Sequence, residues 1–310
     1  MMRFDIVYEE LFYKALRIRL VEQKIIELYP TDKIQSPVHL SLGQEAVAVG
    51  VCQELKATDL IFSNNRGHAY YLAKGGNLKE FFAELDGRST GCCHGKGGSM
   101  HLAAPGIGFM GASALVASTI PHAVGAAMAA KKLRKDQIIV ATFGDGATDE
   151  GVYHESLNFA VLHKLPVIFV CENNGLAVHT RTAARQAYKI LDHAKTYGVP
   201  THYCTEGYDL AKVHETFFPL VAEVRATNLP QFIEIKTCRY SEHVGVNEDY
   251  DAGYRSINEI NQWKQKDPLV WDKKLIDKYK PTITAEINEA LVFAENSPWP
   301  QREDLLTDQI

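Results

Sequence analysis

The segment GDGATDEGVYHESLNFAVLHKLPVIFVCENNG, residues 144–175, decides how the rest of the chain is read. It follows one apolar run, residues 138–143, and contains a second, residues 166–171. Both have the composition of buried strands, and residues 150–163 between them read as a helix. A strand, a helix and a second strand in that order form a parallel crossover unit. In an open parallel sheet, ligands collect beyond the carboxyl ends of the strands. Asp145 falls just beyond the first strand, and Asn173 and Asn174 just beyond the second. Gly144 and Gly146 let the backbone pass close to a bulky group, and the N-terminus of the following helix favours a phosphate. One carboxylate, one amide oxygen and a backbone carbonyl make an oxygen-only set, which suits Mg²⁺ shared with substrate phosphates. Either short motif alone reads as a turn. With 26 residues between Gly146 and Asn173, in strand–helix–strand context, the pair reads as a magnesium–diphosphate anchor.

Outward from this unit, the alternation continues. The spacing predicts helices over residues 184–197 and 209–226 and a strand over 231–237. The fold class is therefore α/β, a mostly parallel sheet with helices on both faces. Upstream, Leu11, Phe12, Ala15, Ile18, Val21, Ile25 and Leu28 recur at helical spacing over residues 8–29. Further helices are expected over 43–55 and 78–86. The glycine-rich segment 91–111 reads as a long irregular loop, a kind that is usually functional. Residues 121–134, PHAVGAAMAAKKLR, carry small residues suited to a helix that another backbone approaches closely. Residues 268–295 read as helical. The expected organisation is a single diphosphate-binding domain over 1–310, with an N-terminal helical extension (about 1–35) and a C-terminal helical tail (about 256–310).

Composition narrows the function classes. The 310 residues are 46% hydrophobic and 23% charged, which gives a sizeable core. The net charge of −5 disfavours nonspecific binding to nucleic acid or an anionic membrane. No apolar run approaches the roughly 20 residues of a membrane span, and the start, MMRFDIVYEE, lacks the pattern of a secretory signal. The six cysteines form no CxxC pair and read as reduced, so a cytoplasmic location is expected. The Cys92-Cys93-His94 run lacks a second ligand pair at metal-site spacing. HGKGGS, residues 94–99, lacks the pattern of a nucleotide-binding Walker loop.

The anchor resembles the thiamine-diphosphate motif, and several other blocks agree with it. HLSLGQEAVAVGV (39–51), GCCHGKGGSMHL (91–102), IEIKTCRY (233–240) and the ending DLLTDQI (304–310) resemble the alpha subunit of the heterotetrameric 2-oxoacid dehydrogenases. These are the decarboxylating first components of pyruvate, branched-chain and acetoin dehydrogenase complexes. The resemblance implies a thiamine-diphosphate-binding fold with extra N- and C-terminal helices. It implies Mg²⁺ held by Asp145 and Asn174 through side chains and by Leu176 through its carbonyl. Gly144, Gly146 and Ala147 would present backbone to the diphosphate. Arg66, in NNRGH, would pair with phosphate oxygens, for which a planar guanidinium is suited. Ala114 and Val116, in SALVAS, would line the aminopyrimidine. His243, in RYSEH, would act near diphosphate and substrate, and His68 would be a second histidine of the substrate funnel. The activating glutamate would come from a separate beta subunit in an α2β2 heterotetramer, with a lipoyl-bearing acyltransferase as the acyl acceptor.

The chain also departs from the family pattern. Asn65 stands where tyrosine or histidine is usual, Glu242 replaces a glycine, and Val244 stands where many relatives carry a phosphorylatable serine. A carboxylate at 242 would repel a 2-oxo acid by Coulomb interaction unless it is protonated or turned away. Two enzyme readings follow. One is a dehydrogenase subunit passing an acyl group to lipoamide. The other is a thiamine-diphosphate-dependent lyase or ketol transferase that never meets lipoamide. A non-catalytic subunit would be expected to lose the anchor, which is present here.

Overall fold

The computed structural model describes residues 2–307, with side chains from Val7 onward; residue 1 and the last three residues of the expected family ending lie outside the described residues. In chain order the elements are α1 (Met2–Leu28), α2 (Glu45–Cys52), β1 (Leu60–Ser63), α3 (Gly67–Ala73), α4 (Leu78–Leu85), β2 (Phe109–Ala112), α5 (Thr119–Lys132), β3 (Ile139–Gly144) and α6 (Gly151–Leu162). There follow β4 (Val167–Asn173), β5 (Leu176–Ala177), β6 (Thr180–Arg181), α7 (Ile190–Thr196), β7 (Thr201–Cys204), α8 (Leu210–Thr227), β8 (Gln231–Lys236), α9 (Ile257–Lys264), α10 (Pro268–Trp271) and α11 (Lys273–Asn296).

Six strands form one sheet in the order β2-β1-β3-β4-β8-β7, and every pairing in it is parallel. The α/β expectation holds, and the alternation of side chains along the central strands explains why both faces are covered. Val140, Ile168 and Val170 face one apolar cluster, with residues of α1, α2, α4, α8 and α11. Ile139, Ala141, Phe143, Val167 and Phe169 face the other, with residues of α5, α6 and α7. All of these strand residues are essentially inaccessible; each large one contributes about 1.5–3 kcal/mol by leaving water.

Several sequence expectations need correction. The segment 91–111 is not loop throughout, because its end becomes the edge strand β2. A four-residue strand beside glycines carries too short an alternation to be read from sequence. Strands β1 and β7 and helix α3 were hidden for the same reason of length. The helix expected over 184–197 starts only at Ile190. Its first residues instead form a 3-10 turn, Thr182–Ala184, and an extended approach, because they are tied to Asp145 and Thr148. The helix expected over 268–295 is broken at Asp272, whose side chain caps α11 by accepting from the Leu275 N–H.

Register places the site. Gly144 is paired with Glu172, so β3 and β4 end level with one another. Asp145 and Asn174 therefore emerge side by side, with Asn64–Arg66 emerging beside them from β1.

Candidate active site

A cavity of about 340 Å³ lies beyond the carboxyl ends of β1, β3 and β4. Its wall contains Arg66, Ala114, Val116, Gly144, Asp145, Gly146, Ala147, Asn174, Leu176 and His243. Ten of the expected site residues, from five separate stretches of chain, are thus brought together. A wider cleft of about 730 Å³ behind Asn173 and Glu234 is larger but open. It lacks the convergence of carboxylate, amide and guanidinium that gives the smaller cavity its chemistry.

Asp145 opens a 3-10 turn, Asp145–Asp149, that intervenes before α6, so six residues separate the strand end from the helix start. The Asp145 side chain is buried. Its Oδ2 is engaged by the Arg185 guanidinium and accepts from the Thr182 hydroxyl at 3.1 Å. Its Oδ1 is buried without any hydrogen-bond partner. Burial pushes the carboxyl pKa up, while the Arg185 charge and the Thr182 hydroxyl oppose that shift. A buried carboxylate oxygen without a partner is costly and is the atom a hard cation would satisfy. A Cβ at Gly146 would lie 2.9 Å from the Ala177 Cβ, so glycine is required there by packing. At Gly144 a Cβ would meet no protein atom within 4 Å, so protein packing does not demand that glycine.

Asn174 follows β4, and its Oδ1 accepts from the Leu176 N–H at 3.1 Å, which closes a tight turn through Gly175 at φ +77°. Its Nδ2 donates to Gln44 Oε1 at 3.3 Å. Gln44 in turn donates through Nε2 to Glu172 Oε2 at 3.2 Å, and the Tyr70 hydroxyl donates to Glu172 Oε1 at 2.9 Å. Burial pushes the Glu172 pKa up to about 7, against the Tyr70 and Gln44 hydrogen bonds and the Arg66 charge.

Arg66 ends β1's loop at the start of α3. Its guanidinium donates to the Leu40 carbonyl at 2.7 Å and to the His243 carbonyl at 3.0 Å, with His243 Nδ1 3.3 Å away. Burial and the nearby Arg239 charge lower its pKa to about 10, so it is still cationic at neutral pH. Arg239 is fully buried and donates to the Val178 carbonyl and the Ser241 carbonyl. It thereby fastens the strand-β8 loop onto the turn that follows Asn174. The cavity end near His243 is therefore cationic, and an anion there would be favoured.

One residue differs from expectation. His68 is fully buried and does not reach the cavity wall. Its Nε2 is 2.7 Å from the Ser99 hydroxyl, its Nδ1 lies 3.3 Å from the Glu22 carboxylate, and Phe81 packs against its ring. The first turn of α3 points it inward. Glu242 is turned away from the cavity: its Oε1 accepts from the Asn247 N–H at 2.9 Å and lies against Gly245. This is the turned-away alternative. Asn65 does line the cavity.

Sequence reasoning missed His39, Gln44, Glu172, Thr182 and Arg185. His39 sits on the wall with its ring edge against His243 and its Nδ1 buried without a partner. The block HLSLGQEA contained the signal for His39 and Gln44, as two polar side chains at the edge of an apolar run. Arg185 gave no signal, since nothing in spacing links it to Asp145.

The glycine-rich run 91–98 also has an explanation. Both oxygens of the buried Glu84 carboxylate accept backbone N–H groups: Cys93 and Gly95 on one, Gly97 and Gly98 on the other. The loop's amides face an internal carboxylate rather than a phosphate. Glu84, Cys92 and Cys93 come within reach of one another, but the carboxylate is already saturated.

Comparison with known proteins agrees with this geometry. The dehydrogenase E1 component family matches residues 13–303. The chain belongs to that family. It is 35% identical to the alpha subunit of acetoin:2,6-dichlorophenolindophenol oxidoreductase from Bacillus subtilis over 309 residues, 96% of this chain and 92% of that one. It is 36% identical to the pyruvate dehydrogenase E1 component subunit alpha of Zymomonas mobilis over 313 residues, 96% of this chain and 87% of that one. Among solved structures it resembles transketolase from Campylobacter jejuni (TM-score 0.57, 17% identity, 98% of this chain and 51% of that chain). It also resembles transketolase from Pichia stipitis (TM-score 0.60, 16% identity, 93% of this chain and 46% of that chain). At that identity the likeness shows the fold, and this chain spans about half the length of the transketolases. Among the described residues no helix is long and apolar enough to cross a membrane.

Proposed function

We propose that this E1-family chain is the alpha subunit of a thiamine-diphosphate-dependent 2-oxoacid or acetoin dehydrogenase. The observation that carries the reading is the orphaned buried Oδ1 of Asp145, beside Asn174 and Leu176, in a cavity with a cationic end. The residues fit a divalent cation and a diphosphate. Asp145, Asn174 and the Leu176 carbonyl would hold Mg²⁺. Gly144, Gly146 and Ala147 would face the diphosphate, and Arg66 would stand at the anionic end. Ala114 and Val116 would flank the aminopyrimidine. When bound, thiamine diphosphate supplies a carbon nucleophile and an electron sink for cleaving the bond next to a carbonyl.

The chain's own residues do the positioning. Burial and the Arg66 charge depress the His243 pKa to about 3, so its imidazole is neutral at physiological pH. A neutral ring can accept or share a proton at the substrate oxygen. Arg66 fixes this ring by donating to the His243 carbonyl. His68, held by Ser99 behind the wall, supports the chain that carries Arg66 rather than touching substrate.

The chain would form one diphosphate-binding domain and half an active site. Leu115 and Val116 are exposed beside the cavity, as are Gly125 and Ala129 on α5. These surfaces suit a beta subunit that brings the activating glutamate in an α2β2 assembly. The names of the acetoin and pyruvate relatives support the two substrate classes, and a lipoyl-bearing acyltransferase would take the acyl group in either case. A cytoplasmic location accords with the reading.

Calorimetry with thiamine diphosphate and Mg²⁺ tests it, on wild type and Asp145→Ala, alone and co-expressed with a beta-type subunit. Saturable binding lost in the variant is expected, followed by turnover of a 2-oxo acid or acetoin. Equal affinity in both proteins would remove the basis of the assignment.

A further inference from the structure

We infer that Gln44, backed by Glu172 and Tyr70, is the positioning residue that turns the Asn174 amide so that its oxygen faces the cation. The inference rests on the proposed cofactor reading and adds residues to it.

An asparagine amide has two nearly isosteric ends, and only the oxygen can ligate a hard cation. Two contacts set which end faces the metal: the Leu176 N–H, which donates to Oδ1, and the group that accepts from Nδ2. The four side chains form a line of hydrogen bonds with a fixed sense. The Tyr70 hydroxyl donates to Glu172 Oε1, Gln44 Nε2 donates to Glu172 Oε2, and Asn174 Nδ2 donates to Gln44 Oε1. When Glu172 is ionised both its oxygens accept, so the Gln44 amide presents its nitrogen to Glu172 and its oxygen to Asn174. Asn174 must then present nitrogen to Gln44, which leaves Oδ1 on the other side. Reversing Asn174 would set its oxygen against the Gln44 oxygen. Reversing both would set the Gln44 oxygen against a carboxylate.

The line is held rigidly. Tyr70, Gln44 and Glu172 are all buried. Gln44 immediately precedes α2, yet its side chain makes no capping bond to that helix. It reaches instead across to the end of β4, 130 residues away in sequence. Glu172 is itself the β4 residue paired with Gly144, so the line ties both strand ends to one orienting group. A partner that orients a metal ligand typically changes metal affinity by about 10–100-fold when removed.

The test uses Mn²⁺ as a spectroscopic probe, titrated by electron paramagnetic resonance into the chain co-expressed with a beta-type subunit, with saturating thiamine diphosphate. Wild type should bind saturably and Asp145→Ala should not. Gln44→Leu should weaken Mn²⁺ by about 10–100-fold, and Glu172→Gln by less, because its amide oxygen can still accept from Gln44 while its nitrogen donates to the Tyr70 oxygen. The thermal midpoint of the ligand-free protein reports separately on any structural damage. The decisive protein is the exchange variant Gln44→Glu/Glu172→Gln. There the residue at 44 accepts from both neighbours and the residue at 172 donates toward it while still accepting from Tyr70, so the sense at Asn174 is restored. Its Mn²⁺ affinity should return toward wild type, which a purely steric role does not anticipate. Wild-type affinity in Gln44→Leu, or an exchange variant no tighter than Gln44→Leu, would overturn the inference while Asp145→Ala still loses binding. No saturable Mn²⁺ binding by wild type would instead overturn the cofactor reading, and this inference with it. Gln44→Met, close to glutamine in length and volume, carries the test should Gln44→Leu fail to fold.

Discussion

The imidazole rings of His39 and His243 meet edge to face with their centroids 5.0 Å apart, on the same side of the cavity as the Arg66 guanidinium. Burial first and the Arg66 charge second depress both pKa values from 6.5 to about 3. Below about pH 6.5 the unfolded chain takes up protons on these histidines and the native protein does not. Stability present above that pH is therefore lost as the pH falls from about 6.5 toward 3. Urea midpoints measured between pH 7.5 and 5 should fall, and His39→Gln should flatten that fall. Parallel pH profiles for wild type and variant would show that His39 is not a source of acid lability.

Glu84 gathers the 91–98 loop by accepting four backbone N–H groups. Glu84→Gln keeps the shape but turns one acceptor oxygen into a donor, which then faces two amides. Hydrogen bonds to a charged group contribute roughly 1.5–3 kcal/mol each. The expected outcome is faster hydrogen exchange at Cys93, Gly95, Gly97 and Gly98 and faster labelling of Cys92 and Cys93 by a thiol reagent. Unchanged exchange would mean that the glycines hold the loop without the carboxylate.

Arg185 joins Asp145 and Asp149, and its guanidinium also donates to the Asp145 carbonyl at 3.3 Å. Arg185→Met would leave the buried Asp145 charge uncompensated, a change that typically costs 3–5 kcal/mol, about the full price of a broken buried pair. The thermal midpoint of the variant should drop. Mg²⁺ with thiamine diphosphate should recover more of it than in wild type, since a ligand that binds only the native state stabilises by mass action. A variant melting like wild type would show that the ion pair is dispensable.

The parallel α/β layout was legible because β3 and β4 are long, apolar and separated by a helix of ordinary length. The ligand end of the sheet was legible because Gly144-Asp145-Gly146 and Asn173-Asn174 mark two strand ends at a recognisable spacing. What failed were features set by tertiary contact. Strands β1, β2 and β7 span four residues each, too few for periodicity to show. The segment before Ile190 has helical composition, yet Arg185, Gln186 and Tyr188 are drawn to the Asp145 turn instead. His68 is expected in the substrate funnel only through the family resemblance, and the start of α3 carries its ring into the core against Ser99 and Glu22. Which way the Glu242 carboxylate turns is set by its own loop, where it accepts the Asn247 N–H, and spacing carries no sign of that.

Arg19 gives the last prediction, and it concerns how the N-terminal helix is bound to the rest. The guanidinium of this α1 residue is buried between Glu45 at the start of α2 and Asp267 just before α10. The Tyr240 hydroxyl also donates to Asp267, at 2.8 Å. One cation thus serves two buried carboxylates from distant parts of the chain, while the Glu45 carboxylate accepts the Gly43 N–H as well. Removing the cation leaves two buried acids facing each other, whereas removing one acid leaves a pair. Arg19→Met should therefore destabilise by more than Glu45→Gln, with the buried-pair range of about 3–5 kcal/mol as the scale. Acid should reverse part of the difference, because protonating the carboxyls relieves the variant but not the wild type. Urea unfolding of both variants at neutral and mildly acidic pH measures this. Equal losses at neutral pH, or an Arg19→Met deficit that does not shrink in acid, would show that packing of the long side chain rather than its charge holds α1 in place.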